Sequence, residues 1–374
     1  MEDVFEGMAT GVEVEIPDAD APAIQRPWIP EQIRVNTHQF SLRNILDLID
    51  EESLELAPDF QRGQVWHPEQ KSLLVESLLL QIPLPAFYFA EDNDGVFHVV
   101  DGLQRLSTLH AFVRGEETRF PLKGLEYVDE AVGSYFSDLP AQWQRRINNT
   151  QLVVNIIDPT SPPDVMYDIF KRINTGGTPL NAQEIRHCTS KPRSREILKR
   201  MTHTDEFSIA TNGLTDHIRM NDREMALRFS AFWLLSTERY YEHPVMESFL
   251  MDATRLLDDP EQLPDSAVQD LEDTFRRAMT NAYSIFGDHA FRKWPLGSTR
   301  LSPINRALFE TWSIAVAELE PDDLKRRHDD IKNVARKRMT TDFQYLDSIT
   351  SSTSDRRRVS YRFQAAEKDA RAGR

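Results

Sequence analysis

Cysteine is almost absent from this sequence, since Cys188 is the only one among 374 residues. A single cysteine excludes an internal disulfide framework, and cysteine-poor chains are typical of reducing compartments. Long hydrophobic runs are missing as well, because no apolar stretch approaches the roughly 20 residues that span a bilayer. The acidic N-terminus also lacks the basic and apolar regions of a signal peptide. We therefore expect a cytoplasmic protein without a membrane partner.

Positive charge is in short supply. The chain has 44 Lys and Arg against 60 Asp and Glu, which gives a net charge of −16. A protein that coats DNA by neutralising phosphates is usually basic overall, so nonspecific duplex binding by the whole surface is not expected. The exception is the C-terminal end, where residues 355–374 hold seven Lys or Arg against three Asp or Glu. This basic tail is the one place where the sequence predicts a DNA contact.

Several familiar catalytic motifs do not occur. The sequence contains neither a G-x-x-x-x-G-K-[ST] phosphate loop nor a G-x-G-x-x-G turn, which excludes P-loop enzymes and leaves dinucleotide binding unsupported. The histidines of the second half are scattered without the paired spacing that metal ligands need. A nuclease centre is therefore not predicted for this chain.

The sequence divides into four segments of different character. Its length favours two domains. Residues 1–34 are acidic, with several Gly and Pro, and predict a disordered arm. Strand-like and helix-like patterns alternate over residues 35–190, only helical patterns follow over 191–346, and residues 347–374 form the basic tail. The predicted fold class is α+β, with an N-terminal α/β domain followed by an all-helical C-terminal domain.

Local signals place the elements of the first domain. Ser41 is a typical N-cap before an amphipathic helix, and Pro68 is suited to the first turn of a second one. Residues 86–90 and 96–100 are strand-like and flank a polar turn, which predicts a hairpin. Residues 151–157 are rich in β-branched side chains and predict another strand.

The segment most suggestive of chemistry follows the second hairpin strand and reads Asp101–Gly102–Leu103–Gln104–Arg105. A strand that runs through a glycine turn into a helix exposes N–H groups, and these favour an anion together with the helix dipole. Gly102 allows close backbone approach, and Arg105 offers a bidentate fork to phosphate oxygens. Asp101 repels phosphate but is suited to hold Mg²⁺ or to orient an attacking water.

The same residues can also be explained without a bound ligand. Asp101 is a good N-cap and Gln104 lies three residues later, so the two predict a capping box that satisfies the helix start internally. Against this, a cation in the first helical turn opposes the dipole by ~0.3–1 kcal/mol, so Arg105 is better explained by an anion nearby.

Two other segments have matching character. Gln61 and Arg62 lie in an extended stretch that ends at Trp66, whose alternative role is to fill the core. Arg172 and Asn174 precede a Gly–Gly pair that suits a backbone nest for an anion. The alternative here is a helix C-cap followed by a new helix, with Asn181 and Glu184 forming its capping box.

Taken in order, these segments resemble the N-terminal domain of the GmrS/GmrD-type modification-dependent restriction proteins. The pattern of that family is similar to the motifs of this chain, which are Gln61–Arg62…Trp66, Asp101–Gly102–Leu103–Gln104–Arg105–Leu106–Ser107–Thr108–Leu109 and Phe170–Lys171–Arg172–Ile173–Asn174…Gly177…Leu180…Glu184. Shorter pieces in the second half are similar too: Met220–Asn221–Asp222–Arg223–Glu224…Arg228–Phe229, Asn305–Arg306–Ala307–Leu308–Phe309–Glu310 and Ser351–Ser352–Thr353–Ser354. The resemblance covers about residues 35–365.

The resemblance implies a ParB/sulfiredoxin-like fold for the first domain and binding and hydrolysis of a nucleoside triphosphate, of the GTPase type, with Mg²⁺. It also implies a setting in defence against phage DNA. Leu103 stands where the family usually has Gln, so one polar contact is missing. Because no nuclease domain is recognisable here, a separate nuclease or defence subunit is an expected partner.

We accordingly expect a nucleotide-binding, hydrolysing regulator or sensor. The expected catalytic residues are Asp101, Gln104 and Arg105, the expected nucleotide or phosphate ligands are Gln61, Arg62, Gly102, Arg105, Arg172, Asn174 and Gly177, and the expected Mg²⁺ ligand is Asp101. The alternative is a non-enzymatic DNA-binding module whose conformation is switched by a nucleotide, with DNA bound through the basic tail.

Overall fold

A computed structural model describes residues 2–5, 7–15, 34–56, 66–92, 95–158, 169, 181–243 and 245–373. Contacts among the residues divide the chain into two compact units. Residues 26–189 make up the sheet unit, and residues 1–25 together with 190–374 make up the helical unit. Across the described ranges, no helix has both the length and the apolar character that crossing a bilayer requires.

The sheet unit is built on a mixed five-stranded sheet. Its strands are β3 (Val35–Ser41), β4 (Leu54–Glu55), β5 (Phe87–Glu91), β6 (Phe97–Asp101) and β7 (Gln151–Ile157). They lie in the order β3–β7–β5–β6–β4. The β5–β6 and β3–β7 pairs are antiparallel, whereas β5–β7 and β4–β6 are parallel. The predicted hairpin is confirmed, and β7 has the bounds that its β-branched residues predict.

Helices α1 (Leu42–Asp50), α2 (Pro68–Leu79), α3 (Leu103–Val113) and α4 (Ala141–Asn149) share one apolar core with the sheet. Helix α5 (Ala182–Thr189) belongs to the same unit. Ile45, Val75, Phe89, Leu106 and Val154 are buried in this core. The predicted starts of α1 and α2 are confirmed: Ser41 caps α1, and Pro68 is the first residue of α2.

The helical unit confirms the all-helical prediction for the second half of the chain. Its helices are α6 (Pro192–Thr202), α7 (Asp205–Thr211), α8 (Asn221–Tyr240), α9 (Met246–Leu257), α10 (Asp265–Phe286), α11 (Arg306–Val316), α12 (Pro321–Thr341), α13 (Phe343–Ser348) and α14 (Arg356–Ala370). Aromatic side chains fill its core, among them Phe207, Phe229, Phe275, Phe309 and Trp312. The α+β organisation is thereby confirmed.

Residues 1–34 depart from the expected disordered arm wherever the structure describes them. Strands β1 (Glu2–Phe5) and β2 (Met8–Glu13) form an antiparallel hairpin within the helical unit. Val12 is fully buried in the unit's core. The expectation is wrong here because acidic composition alone favours disorder only when the charges stay in water. In this fold Glu15 pairs with the buried Arg228, and Glu13 pairs with the partly buried Lys293. Residues 16–33 lie outside the described residues.

The basic C-terminal tail forms helix α14 and packs into the same unit. Val359 and Ala366 lie in the core, and the Arg362 side chain is fully buried, where it donates to a carboxylate of Glu310. The exposed cations of this helix and its end are Arg356, Arg357, Lys368 and Arg371. Part of the basic charge counted in the sequence is therefore internal.

Candidate functional site

The junction between β6 and α3 is the part of the predicted site that the structure describes. Asp101 is the last residue of β6 and pairs with Tyr88 of β5. Gly102 is the N-cap of α3 and adopts the left-handed conformation, with φ 98°. In the part of the chain that the structure describes, no side chain caps this helix. The strand–glycine–helix arrangement predicted from the sequence is confirmed.

The predicted capping box is wrong. Asp101 stays in the strand, one residue before the cap, because the left-handed turn at Gly102 starts the helix there. Its carboxylate turns to Arg105 instead of the N–H groups at the helix start. The N–H groups of the first turn, at Leu103, Gln104 and Arg105, consequently have no side-chain cap, and helix starts of this kind attract anions.

Gly102 is required by its surroundings as well as by its backbone conformation. A Cβ at this position would lie 2.3 Å from Cδ1 and 2.8 Å from Cε1 of Phe87, and 3.1 Å from Nη2 of Arg105. Phe87 is fully buried, so its ring has little room to retreat. The turn is thus pressed against the beginning of β5, and no other residue fits without displacing that ring.

Arg105 is held by three backbone and side-chain acceptors. Nη2 donates to Asp101 Oδ2 at 2.9 Å and to the Ala86 carbonyl at 3.2 Å, and Nη1 donates to the Pro85 carbonyl. The guanidinium also lies over the Phe87 ring, 4.2 Å from its centroid. Its side chain is only 13% exposed. In this arrangement Arg105 braces the helix start against β5 and offsets the charge of Asp101.

This brace was not predicted. The expectation that Arg105 grips phosphate stays a prediction, and such a grip requires its donors to leave their present acceptors. Burial lowers the pKa of Arg105 below its ordinary value, while the Asp101 carboxylate acts in the opposite direction. A guanidinium remains protonated at pH 7 in either case. The charge of Arg105 is therefore available to balance Asp101.

Sequence reasoning missed the two carbonyls and the ring that hold Arg105. One signal pointed to the carbonyls: Pro85 and Ala86 lie just before the strand that begins at Phe87, so their peptide groups precede the sheet pairing. Nothing in the sequence pattern placed the Phe87 ring under the guanidinium. That contact depends on the pairing of β5 with β6.

The remaining predicted ligands are not brought to the site by the described part of the structure. Gln61, Arg62, Arg172, Asn174 and Gly177 lie outside the described residues. Gln104, in the first turn of α3, is half-buried. The predicted capping box at the start of α5 is confirmed, since Glu184 N–H donates to Asn181 Oδ1 at 2.8 Å and Asn181 N–H donates to Glu184 Oε2 at 2.6 Å.

The donor set for Mg²⁺ at this junction is small. Among the residues that the structure describes, no group of three or more His, Cys, Asp or Glu side chains is arranged to hold a metal ion. Asp101 Oδ2 accepts from Arg105, whereas no partner of Oδ1 is found within the described ranges. One free carboxylate oxygen is compatible with a Mg²⁺ ion that a nucleotide carries, because such ions use one or two carboxylates besides phosphate and water.

Comparison with known families places this junction in a recognised domain. Residues 43–190 match the family model described as the N-terminal domain of the GmrSD restriction endonuclease. That stretch of the chain belongs to this domain family, as the spaced motifs predicted. The match includes the β6–α3 junction and relates the protein to restriction systems. No curated protein matches the chain.

Proposed function

We propose that the domain at residues 43–190 binds a nucleoside triphosphate at the start of α3 and hydrolyses it with Mg²⁺, as a regulator or sensor of a restriction-like defence system. The observation that carries this proposal is the helix start itself. Gly102 leaves the first N–H groups of α3 without a side-chain cap, directly after a carboxylate whose charge is offset. The family match supports the defence setting.

The Asp101–Arg105 pair removes the main electrostatic objection to this site. An unpaired carboxylate beside the helix start would repel phosphate, but Arg105 lies 2.9 Å away and is shielded from solvent. A pair this close and this buried attracts more strongly than an exposed one. The backbone N–H groups then determine the local potential, which favours a negative group.

The chemistry we assign to the chain's own residues follows from these positions. Asp101 Oδ1 orients the attacking water or contributes to Mg²⁺ carried by the nucleotide, and Gln104 adds a polar contact from the first helical turn. Arg105 holds Asp101 and the turn in place and is the candidate for a direct phosphate contact when it releases the Pro85 carbonyl. Mg²⁺, when bound, supplies charge neutralisation for the transferred phosphoryl group.

A panel of nucleoside triphosphates tests the proposal. Calorimetric binding and phosphate release are measured with Mg²⁺, with and without DNA, on the full chain. We expect one nucleotide to bind and turn over, Arg105→Ala to abolish turnover, and Gln104→Ala to reduce it in a folded protein. Arg114→Ala is the matched control, because Arg114 follows the same helix and makes an exposed ion pair with Asp47. Absence of binding for every nucleotide would end the proposal.

The alternative, a DNA-binding module switched by a nucleotide, cannot be tested by deleting the tail. Because α14 contributes to the core, its removal would unfold the helical unit. Arg357→Glu with Lys368→Glu reverses two exposed charges and leaves the buried face intact. Loss of a salt-dependent gel shift in this variant favours DNA binding by the tail, and no shift for the wild-type chain at any salt concentration removes the alternative.

A further inference from the structure

Three sequence segments that the proposed nucleotide site does not use meet in the helical unit. They are the starts of α8 and α11 and the serine- and threonine-rich loop before α14. Arg228 of α8 contacts Glu310 of α11, and Arg306 of α11 contacts Glu224 of α8 at 3.2 Å. Arg362 of α14 also contacts Glu310. Together with Lys293, these cations form what we call the cationic cluster.

Strand β2 and the two residues after it place two carboxylates on this cluster. Glu15 accepts from Arg228 Nη2 at 2.9 Å and from the Thr353 hydroxyl at 2.9 Å. Glu13 accepts from Lys293 Nζ at 2.7 Å and from the Asn305 side-chain amide at 2.9 Å. Each carboxylate thus accepts from a cation and from a neutral donor.

Backbone contacts hold the strand in the same place. Glu13 N–H donates to the Ile304 carbonyl at 2.7 Å, and Ile304 N–H donates to the Gly11 carbonyl at 2.8 Å. Arg306 Nη1 donates to the Glu13 carbonyl at 3.0 Å. The strand is therefore held by its backbone against the segment that leads into α11, and Glu13 and Glu15 supply negative charge.

The charge balance favours an anion at this place. Among the ion pairs of the described residues, the cluster has four cations and, apart from Glu13 and Glu15, the two carboxylates Glu224 and Glu310. Glu13 and Glu15 add two negative charges to this set. Burial raises the pKa of Glu15, but the charges of Arg228 and Arg306 outweigh this, so the pKa is lowered and the carboxylate stays ionised. Unbalanced buried charge is strongly unfavourable.

The arrangement of donors fits phosphate as well as carboxylate. Glu13 ends β2 and Glu15 lies two residues further along the chain, and two residues of extended chain span roughly 7 Å. Guanidinium forks with hydroxyl and amide donors are the usual surroundings of phosphate groups in proteins. The Glu15 side chain is 33% exposed, so the cluster opens to solvent at this residue.

We propose that the cationic cluster is a binding site for two adjacent phosphate groups, and that Glu13, at the end of β2, and Glu15, two residues beyond it, occupy the site and compete with the ligand. The phosphates come from a nucleotide polyphosphate or from a nucleic-acid backbone. This inference does not depend on the proposed site at α3, because the two sites use different residues in different units.

The test removes the competing charges without removing the strand. Glu13→Gln with Glu15→Gln keeps the shape of both side chains, and the control Asp270→Asn with Asp322→Asn changes the net charge equally at exposed positions of the same unit. Tripolyphosphate and a twelve-nucleotide single-stranded DNA are titrated into each full-length protein at low salt. We expect the first variant to bind a probe about tenfold or more tightly than wild type, because the competent fraction rises. The control should match wild type.

The two probes separate the sources of phosphate. If the double variant binds only tripolyphosphate more tightly than wild type does, the ligand is a nucleotide polyphosphate. If its affinity rises more for the oligonucleotide, the ligand is nucleic acid. Adding Arg306→Gln to the double variant should remove the gain. A folded double variant that binds both probes no better than the control overturns the proposal.

A second measurement uses the wild-type chain and remains informative if the variant is unstable. Hydrogen exchange of the N-terminal peptide reports whether Glu13 N–H stays bonded to the Ile304 carbonyl. A saturating probe should displace the strand and speed exchange in residues 11–13. Unchanged exchange with a bound probe would show that the ligand lies elsewhere, and the proposal would fail.

Discussion

Replacing Gly102 by Ala should destabilise the sheet unit through two separable effects. The first is the left-handed conformation, φ 98°, which costs a residue with a Cβ about 1–2 kcal/mol. The second is the approach of the new Cβ to 2.3 Å from the Phe87 ring. Because Phe87 is fully buried, making room resembles overpacking of a core, which costs about 1–3 kcal/mol. The expected total is about 2–5 kcal/mol.

Gly95→Ala is the matched control for this prediction. Gly95 also has a positive φ, 80°, but an added Cβ there meets no atom within 4 Å. Only the conformational cost of about 1–2 kcal/mol should appear. The difference between the two variants therefore isolates the contact with Phe87.

The assay must report on the sheet unit alone, because a chain with two units does not unfold in a single two-state step. Amide hydrogen exchange in β7 gives a local opening free energy for each variant. Phe87→Leu supplies the companion change: in that background, Gly102→Ala should cost less by the part due to the ring. Equal costs for the two glycine variants, or no relief from Phe87→Leu, would refute the account of a compressed turn.

Two buried carboxylates give further predictions. Glu76 accepts three backbone N–H groups, from residues 126, 127 and 128, so Glu76→Gln should cost about 1–3 kcal/mol at pH 7 in the same exchange assay. Burial raises the pKa of Glu76, but these hydrogen bonds outweigh it and the pKa is lowered. The stabilisation by the Glu76 carboxylate is therefore present above the ordinary carboxyl pKa and is lost as the pH falls through the lowered pKa of Glu76. A stability difference between wild type and Glu76→Gln that persists below this lowered pKa would contradict the reasoning. Glu310→Gln leaves Arg228 and Arg362 without the buried carboxylate that they share. The variant should lose about 3–5 kcal/mol of unfolding free energy in thermal denaturation. The control Glu367→Gln removes an exposed ion pair and should lose less than about 1 kcal/mol. Similar losses for these two variants would show that the buried network contributes little.

Elements whose signals are local were predictable from the sequence. Such signals act within a few residues, and the structure contains each of them: the caps at Ser41 and Asn181, the proline start of α2 and the β-branched run of β7. The glycine turn before α3 was also predictable, because only the strand and helix patterns on either side were needed.

The partner of Asp101 was not predictable, because two local partners competed for one carboxylate. An N-cap bond and an ion pair with Arg105 are both within reach of this side chain. The left-handed turn at Gly102 and the carbonyls of Pro85 and Ala86 decide between them, and both depend on strand pairing distant in sequence.

The prediction of disorder for the N-terminal segment was wrong for a related reason. Its acidic composition is typical of disorder, but the cations that pair with Glu13 and Glu15 lie more than 200 residues away in the chain. Composition counts charges without their partners. The same limit applies to the basic tail, where Arg362 is internal.

The most direct test of a phosphate site at the start of α3 is hydrogen exchange at that helix start. A peptide covering Leu103, Gln104 and Arg105 is followed in the wild-type chain with and without the nucleotide that binds. Exchange at these three amides should slow on binding, because their N–H groups would then donate to phosphate. A nucleotide that binds and leaves exchange at all three unchanged would contradict it.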